Sequence, residues 1–187
     1  MSEKRTAILD ATLELISQRG FHNTPMSLIA KEANVGPGTI YRNFENKEAL
    51  INQLFVELKR RISEPMLAGL SEGRTTEEIF QQIWRRTFQY CLNHSEEMLF
   101  LEQYHNSPFL TAETEAATRE YQTPILGVFQ NGVRSGDLKD MPFEMFIFFV
   151  WTAIASHAQL HLNGVIIMDE DKLSQAIQAC WDAVKSN

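Results

Sequence analysis

The sequence predicts an all-α protein, and three observations predict it. Apolar residues recur every three or four positions through nearly the whole chain, the period of a helix with one buried face. Cap and breaker signals at Gly20, Asn34-Val35-Gly36, Ser71-Glu72-Gly73, Ser107-Pro108 and Gly136-Asp137 divide the chain into segments of helical length. No run of alternating β-branched residues is long enough to build a sheet.

The elements follow in order. Residues 3–19 carry Ile8, Leu9, Ala11, Leu13, Leu15 and Ile16 as a broad apolar stripe. A short helix is expected after Thr24 as N-cap, with Pro25 at its first position and Leu28, Ile29 and Ala33 on its apolar side. Asn34 and Gly36 tolerate the left-handed backbone that ends it. Pro37 opens a second short helix reaching Phe44, and Asn46 caps a long third one from Lys47 to about Leu70. That helix repeats Leu50, Leu54, Leu58 and Ile62, and Pro65 is expected to kink or restart it. Thr75 or Thr76 caps a helix to about His94, a shorter one covers 96–106, and another covers 112–135 with a bend near Pro124. Residues 142–163 form the most apolar helix, and Asp169 begins the last, with Leu173, Ile177, Cys180, Trp181 and Val184 inward.

Composition narrows the function. Residues 1–61 hold nine Lys/Arg against seven Asp/Glu, whereas residues 62–187 hold eight against 17, so the acidic excess lies in the C-terminal part. An acidic body argues against general polyanion binding: it weakens non-specific binding and favours one docking orientation, since binding depends on the local charge facing phosphates. Cys91 and Cys180 have no paired metal-ligand spacing and read as reduced core or interface residues. The chain opens on a polar segment and then an amphipathic one, with no secretory signal pattern. Its most apolar stretch, residues 145–155, is short of a membrane span, so a cytoplasmic protein with no membrane partner is expected.

Residues 24–47 carry the functional signal. Ile40 and Phe44 lie four apart and pin the middle helix to a core, which turns Gly38, Thr39, Arg42 and Asn43 outward. Two short helices joined by a tight turn, the second with small and hydrogen-bonding residues outward, form a helix-turn-helix suited to a DNA major groove. Arg42 pairs with guanine and Asn43 with adenine in the usual side-chain chemistry, and Pro37 and Gly38 permit close approach. Thr39, Tyr41 and Lys47 suit phosphate anchoring, with Ser27 and either Lys4 or Arg5 as weaker candidates. Packing on a neighbouring helix for Tyr41 and an ordinary surface position for Arg42 are the alternatives.

The same residues resemble the DNA-binding domain of the tetracycline-repressor (TetR) family of bacterial transcriptional regulators. Arg19-Gly20-Phe21 matches the Gly-aromatic end of that domain's first helix, and Thr24 through Ile29-Ala30 matches its Thr-x-x-x-x-Ile-Ala segment. Ala33 through Leu50 matches Ala-x-Val-x-x-Gly-Thr-Ile/Leu-Tyr-x-x-Phe-x-x-Lys-x-x-Leu. Gly36-Pro37 departs from the pattern, since many members place Ser or Thr before the recognition helix. The resemblance implies a three-helix DNA-binding domain (residues 1–46) and a helical effector-binding and dimerisation domain (residues 47–187), with 47–70 connecting them. It also implies backbone contacts by the matching Thr, Tyr and Lys. A homodimer on a palindromic double-stranded operator, acting as a repressor released by a small effector, completes the expectation.

The C-terminal part supplies further candidates. From Met145 to Trp151 every position is apolar, so one side of that helix is expected on its own core and the other on a second subunit. Phe146, Phe149, Ala153, His157 and Trp181 are the candidate interface residues, and the resemblance implies the same pairing of the last two helices. Trp84, Phe88, Phe100, Tyr104, Tyr121, Gln122, Trp151 and His157 are candidates to line an effector pocket, with ordinary core packing as the alternative. A mostly apolar lining favours a lipophilic or aromatic ligand. His157 and His161 lie four apart, as metal pairs do, but His-Ala-Gln-Leu-His lacks the glutamate of a zinc-protease motif. His94 and His105 flank the short helix and are within reach of a pocket only if the fold brings one there, which the sequence does not place. No catalytic triad order, phosphate loop or paired-cysteine site is present, so no enzyme activity, cofactor or metal is expected. The rival readings are an activator, a partner-controlled regulator, or a helical metal-binding protein or enzyme.

Overall fold

The computed structural model describes residues 2–69, 74–105 and 107–186. Among these, nine helices account for nearly all regular structure: α1 (Glu3–Arg19), α2 (Met26–Glu32), α3 (Pro37–Asn43), α4 (Lys47–Leu67), α5 (Thr76–Asn93), α6 (Ser95–His105), α7 (Ala112–Ser135), α8 (Phe143–Leu162) and α9 (Glu170–Val184). An isolated antiparallel bridge joins Leu138 to Lys185. The expected end of α4 near Leu70 falls outside the described residues, and Pro65 sits within α4, two residues before its end at Leu67.

Local chemistry sets the boundaries. Ser2 caps α1 by accepting from the Arg5 amide, and Gly20 ends it at φ +73°, donating its N–H to Ile16 O at 2.8 Å. Asn34 takes the left-handed conformation, φ +51°, that separates α2 from α3. Asn46 Oδ1 accepts from the Ala49 amide at 2.8 Å and so starts α4. Thr75 and Glu78 form a reciprocal capping box before α5, with bonds of 2.8 and 3.2 Å. One expectation is corrected: Thr24 does not cap α2, whose N-cap is Pro25. The Thr24 side chain is buried and donates back to Gly20 O at 2.9 Å, because the chain entering α2 folds under the end of α1. The buried side of α2 is accordingly Met26, Ile29 and Ala30, with Leu28 and Ala33 half-buried.

The helices assemble into two compact units. The first comprises Met1–Arg60 and His94–Thr118, and the second Arg61–Asn93 and Arg119–Asn187. Packing thus interleaves the chain, whereas the sequence suggests a contiguous functional division at residue 46.

In the first unit, α1 packs on α2 and on α6. Its core gathers Ile8, Leu9, Leu15, Ile16, Ile29, Ile40, Phe44, Leu50, Ile51, Leu54 and Phe55. Helix α6 completes it: the Phe100 ring meets Phe21 edge-on at 5.7 Å and Tyr104 stacks on Phe55 at 4.1 Å. The Tyr104 hydroxyl lies 2.8 Å from Asn52 Oδ1 on α4.

In the second unit, α5 packs on α8 and α9. Phe80 meets Trp181 at 5.3 Å, Trp84 meets His157 at 6.0 Å and Phe88 meets His161 at 6.4 Å, successive ring pairs up the face of α5. Helix α8 buries Phe146, Val150, Ile154 and Ala158, a stripe of strict four-residue spacing. Its other side is exposed, so the helix that reads as apolar all round is buried on one face within the chain. The 11-residue apolar stretch continues into a 20-residue helix long and apolar enough, by length and composition, to cross a bilayer.

Candidate DNA-reading surface, cavity and apolar face

Helix α3 begins at Gly36 as N-cap, with Pro37 in the first position, where a missing N–H leaves no bond unmade. Ile40 is buried within it and Phe44, its C-cap, is buried beside it, so the opposite face is presented outward. Pro37, Gly38, Tyr41 and Arg42 are exposed there, and Tyr41 is 58% exposed despite its large ring. A Cβ added at Gly38 would meet nothing within 4 Å, so the fold itself does not require glycine there. Thr39 and Asn43 are half-buried. The Asn43 amide donates to Thr39 O at 2.8 Å, which turns part of its hydrogen-bonding capacity onto its own helix. Ser27 is exposed near the start of α2.

Two cations are held internally. The Lys47 ammonium donates to the Phe21 carbonyl, joining the start of α4 to the turn after α1, and partial burial holds its pKa below the usual lysine value. Arg5 bonds Asn43 O and Gln53 Oε1 and lies over the Phe44 ring. Sequence periodicity identifies long cations but not the carbonyls that tertiary folding brings within their reach.

The second unit contains an apolar cavity of about 50 Å³ between α5, α7 and α8. Phe80, Ile83, Ile125, Val128, Val150 and Ile154 line it, with Leu138 and Met66. Both threonine hydroxyls on the wall are engaged: Thr87 donates to Ile83 O at 2.8 Å and Thr76 to Asp137 Oδ2 at 2.6 Å. Of the expected lining residues, Trp151 contributes to this wall. Phe100 and Tyr104 belong to the core of the first unit. Trp84 and Phe88 are buried between α5 and its neighbours, while Tyr121 is half-buried and Gln122 exposed. Phe146, expected at a subunit interface, lines the cavity instead, because its position belongs to the buried stripe of α8. A separate surface groove is edged by Arg85, Arg86, Asp169 and Glu170, with Arg85 bonded to Glu170 at 2.5 Å.

The outward side of α8 presents Met145, Phe148, Phe149 and Leu162, and the turn to α9 adds Val165, Ile166 and Ile167. Phe148 is 68% and Phe149 51% exposed, an apolar patch that water does not favour. Ala153 is half-buried, and Trp181 is turned inward against Phe80. The His157 Nδ1 donates to Ala153 O at 2.6 Å, and His161 Nδ1 accepts the Met168 amide at 3.0 Å. Each histidine therefore spends a ring nitrogen on the backbone. Among the described residues, no group of three or more His, Cys, Asp or Glu side chains is placed to hold a metal ion.

Helices α1 to α3 form a helix-turn-helix within the first unit, and the second unit is helical with an apolar cavity. Comparison with known proteins agrees. Residues 8–54 match the family model described as bacterial regulatory proteins, tetR family, and residues 55–186 match the tetracyclin repressor-like C-terminal domain. The chain belongs to the TetR family of transcriptional regulators. It is 30% identical to the fatty acid metabolism regulator protein of Bacillus subtilis over 75% of each chain. A TetR family regulator from Marinobacter aquaeolei superimposes with a TM-score of 0.92 at 28% identity, covering 99% of this chain and 97% of that one. The FadR regulator of Bacillus subtilis, solved in complex with stearoyl-CoA, shares the fold at a TM-score of 0.71 and 22% identity over 95% of both chains.

Proposed function

We propose that this chain is a homodimeric repressor that binds a palindromic operator in the cytoplasm and releases it when a lipophilic small molecule enters the second unit. The outward face of α3 carries this reading. A helix of seven residues that buries Ile40 and presents Pro37, Gly38, Tyr41 and Arg42 has little to offer a core and much to offer a groove. Arg42 reads a base edge with Asn43 beside it, while Thr39, Tyr41 and Ser27 hold phosphates. Lys47 adds a phosphate contact with donors that Phe21 O does not occupy. The chemistry of the site is recognition, without catalysis.

The exposed apolar face of α8 is read as the surface that a second copy covers, with no membrane involved. Thr152, Ser156 and Gln159 share that exposed side, which a subunit interface with a polar rim accommodates and a hydrocarbon interior does not. A twofold dimer then supplies two α3 helices for two half-sites. The cavity walls, whose threonine hydroxyls are already bonded, favour an aliphatic chain, in keeping with the fatty-acid regulator among the relatives. At about 50 Å³ the cavity must widen to admit such a chain. Binding therefore favours a different conformation, and only a ligand that prefers the non-DNA state shifts the balance.

Selection of binding sites from random DNA, followed by gel shifts with and without long-chain fatty acids and their CoA thioesters, tests the reading. A palindromic consensus and release by one of these compounds are expected. Binding indifferent to sequence would overturn the operator assignment, and release by none of them would overturn the lipophilic effector.

A further inference from the structure

We infer that Arg5 is a positioning residue that fixes the recognition helix, rather than a contact to DNA; this rests on the reading of α3 as the recognition helix. Three observations converge on its guanidinium. One nitrogen donates to Asn43 O at 3.3 Å, a carbonyl in the last turn of α3. Another donates to Gln53 Oε1 on α4. The guanidinium Cζ lies over the Phe44 ring, 4.6 Å from the centroid.

Each contact answers a need of α3. The last carbonyls of a helix have no partner within it, and a cation placed there also meets the negative end of the helix dipole. With seven residues, α3 has few internal bonds and depends on tertiary contacts for its orientation. Phe44 is the residue that fastens its end to the core, and Arg5 covers the ring while holding α4 on its other side. One planar, five-donor side chain thus ties α1, α3 and α4 together at the end of α3 remote from Pro37. Lysine has the charge but not the fork.

Removing the fork lets the end of α3 sample orientations that do not fit a groove, and apparent affinity falls with the competent fraction. Positional disorder leaves the number of neutralised phosphates unchanged, which separates a clamp from an anchor. The experiment measures amide hydrogen exchange in the free protein, and operator affinity against salt, for wild type, R5A, R5K and R42A. Selectively faster exchange at residues 39–44 in R5A, relative to α1 and α4, is expected. Operator binding on the order of tenfold weaker, with an unchanged salt slope and little recovery in R5K, completes the expected pattern. A slope reduced by about 0.9 with recovery in R5K marks a phosphate contact and overturns the clamp. Exchange unchanged, or accelerated uniformly, overturns it as well. Exchange needs no DNA, so a clamp that holds in a protein with no preferred sequence sinks the operator reading alone. A sequence-specific protein whose R5A variant behaves as wild type in both assays sinks the clamp alone.

Discussion

Arg42 is the exposed guanidinium of α3, the helix proposed to read DNA, and its replacement tests reading against holding. Arg42→Ala is expected to cost about 1–3 kcal/mol of operator binding and to relax preference at one base position, read by repeating the site selection. Lys47 behaves differently because its ammonium is bonded to Phe21 O. Lys47→Ala should lower the salt slope by about one. It should also lower the urea midpoint, since a hydrogen bond to a charged group contributes about 1.5–3 kcal/mol. His105 supplies a pH test. Its ring lies against Phe55, and desolvation there, together with the nearby Lys59 charge, lowers its pKa to about 4. The folded state therefore holds His105 neutral where the unfolded chain binds a proton. The contribution of this group to stability is fully present above about pH 6.5 and is lost as pH falls toward 4. His105→Gln should flatten the melting temperature between those pH values.

At the scale of elements, helix ends and faces were legible and their destinations were not. Asn46, Asn34 and Gly20 announce boundaries because caps and left-handed turns are local chemistry. Ile40 and Phe44 sort α3 into two faces by spacing alone, and both are buried. Aromatic residues such as Phe100 and Tyr104 signal burial equally well, yet nothing local says which core they enter; they complete the unit that contains α1 to α3. Phe146 and Phe149 illustrate the same point within one helix, where a three-residue step turns one side chain inward and the next outward. The α7 terminus offers a stability test. A Cβ on Gly132 would lie 2.6 Å from Leu138 Cδ1 and 2.9 Å from Thr76 Cγ2. Gly132→Ala should therefore destabilise the fold by about 1–3 kcal/mol, despite the better helix propensity of alanine, as thermal denaturation would measure.

For the whole molecule, the proposed dimer turns on the outward face of α8. Phe148→Asp with Phe149→Asp places two charges on a patch that is otherwise apolar. Sedimentation should give a monomer with its helical content intact, binding single half-sites weakly and without cooperativity. A dimer that persists in this variant would move the interface elsewhere. The two family matches meet at residues 54 and 55, whereas packing groups His94–Thr118 with the first unit. That interleaving has a consequence for synthesis. The first unit stays unfinished when residue 60 is added to the growing chain, because α6 has yet to be made. At about 5–20 residues per second, some 3–12 seconds pass before residue 118 is joined. Throughout that interval Phe21, Phe55 and their neighbours lack the rings of Phe100 and Tyr104. The nascent chain therefore carries an open apolar surface that a chaperone can grip until α6 closes it.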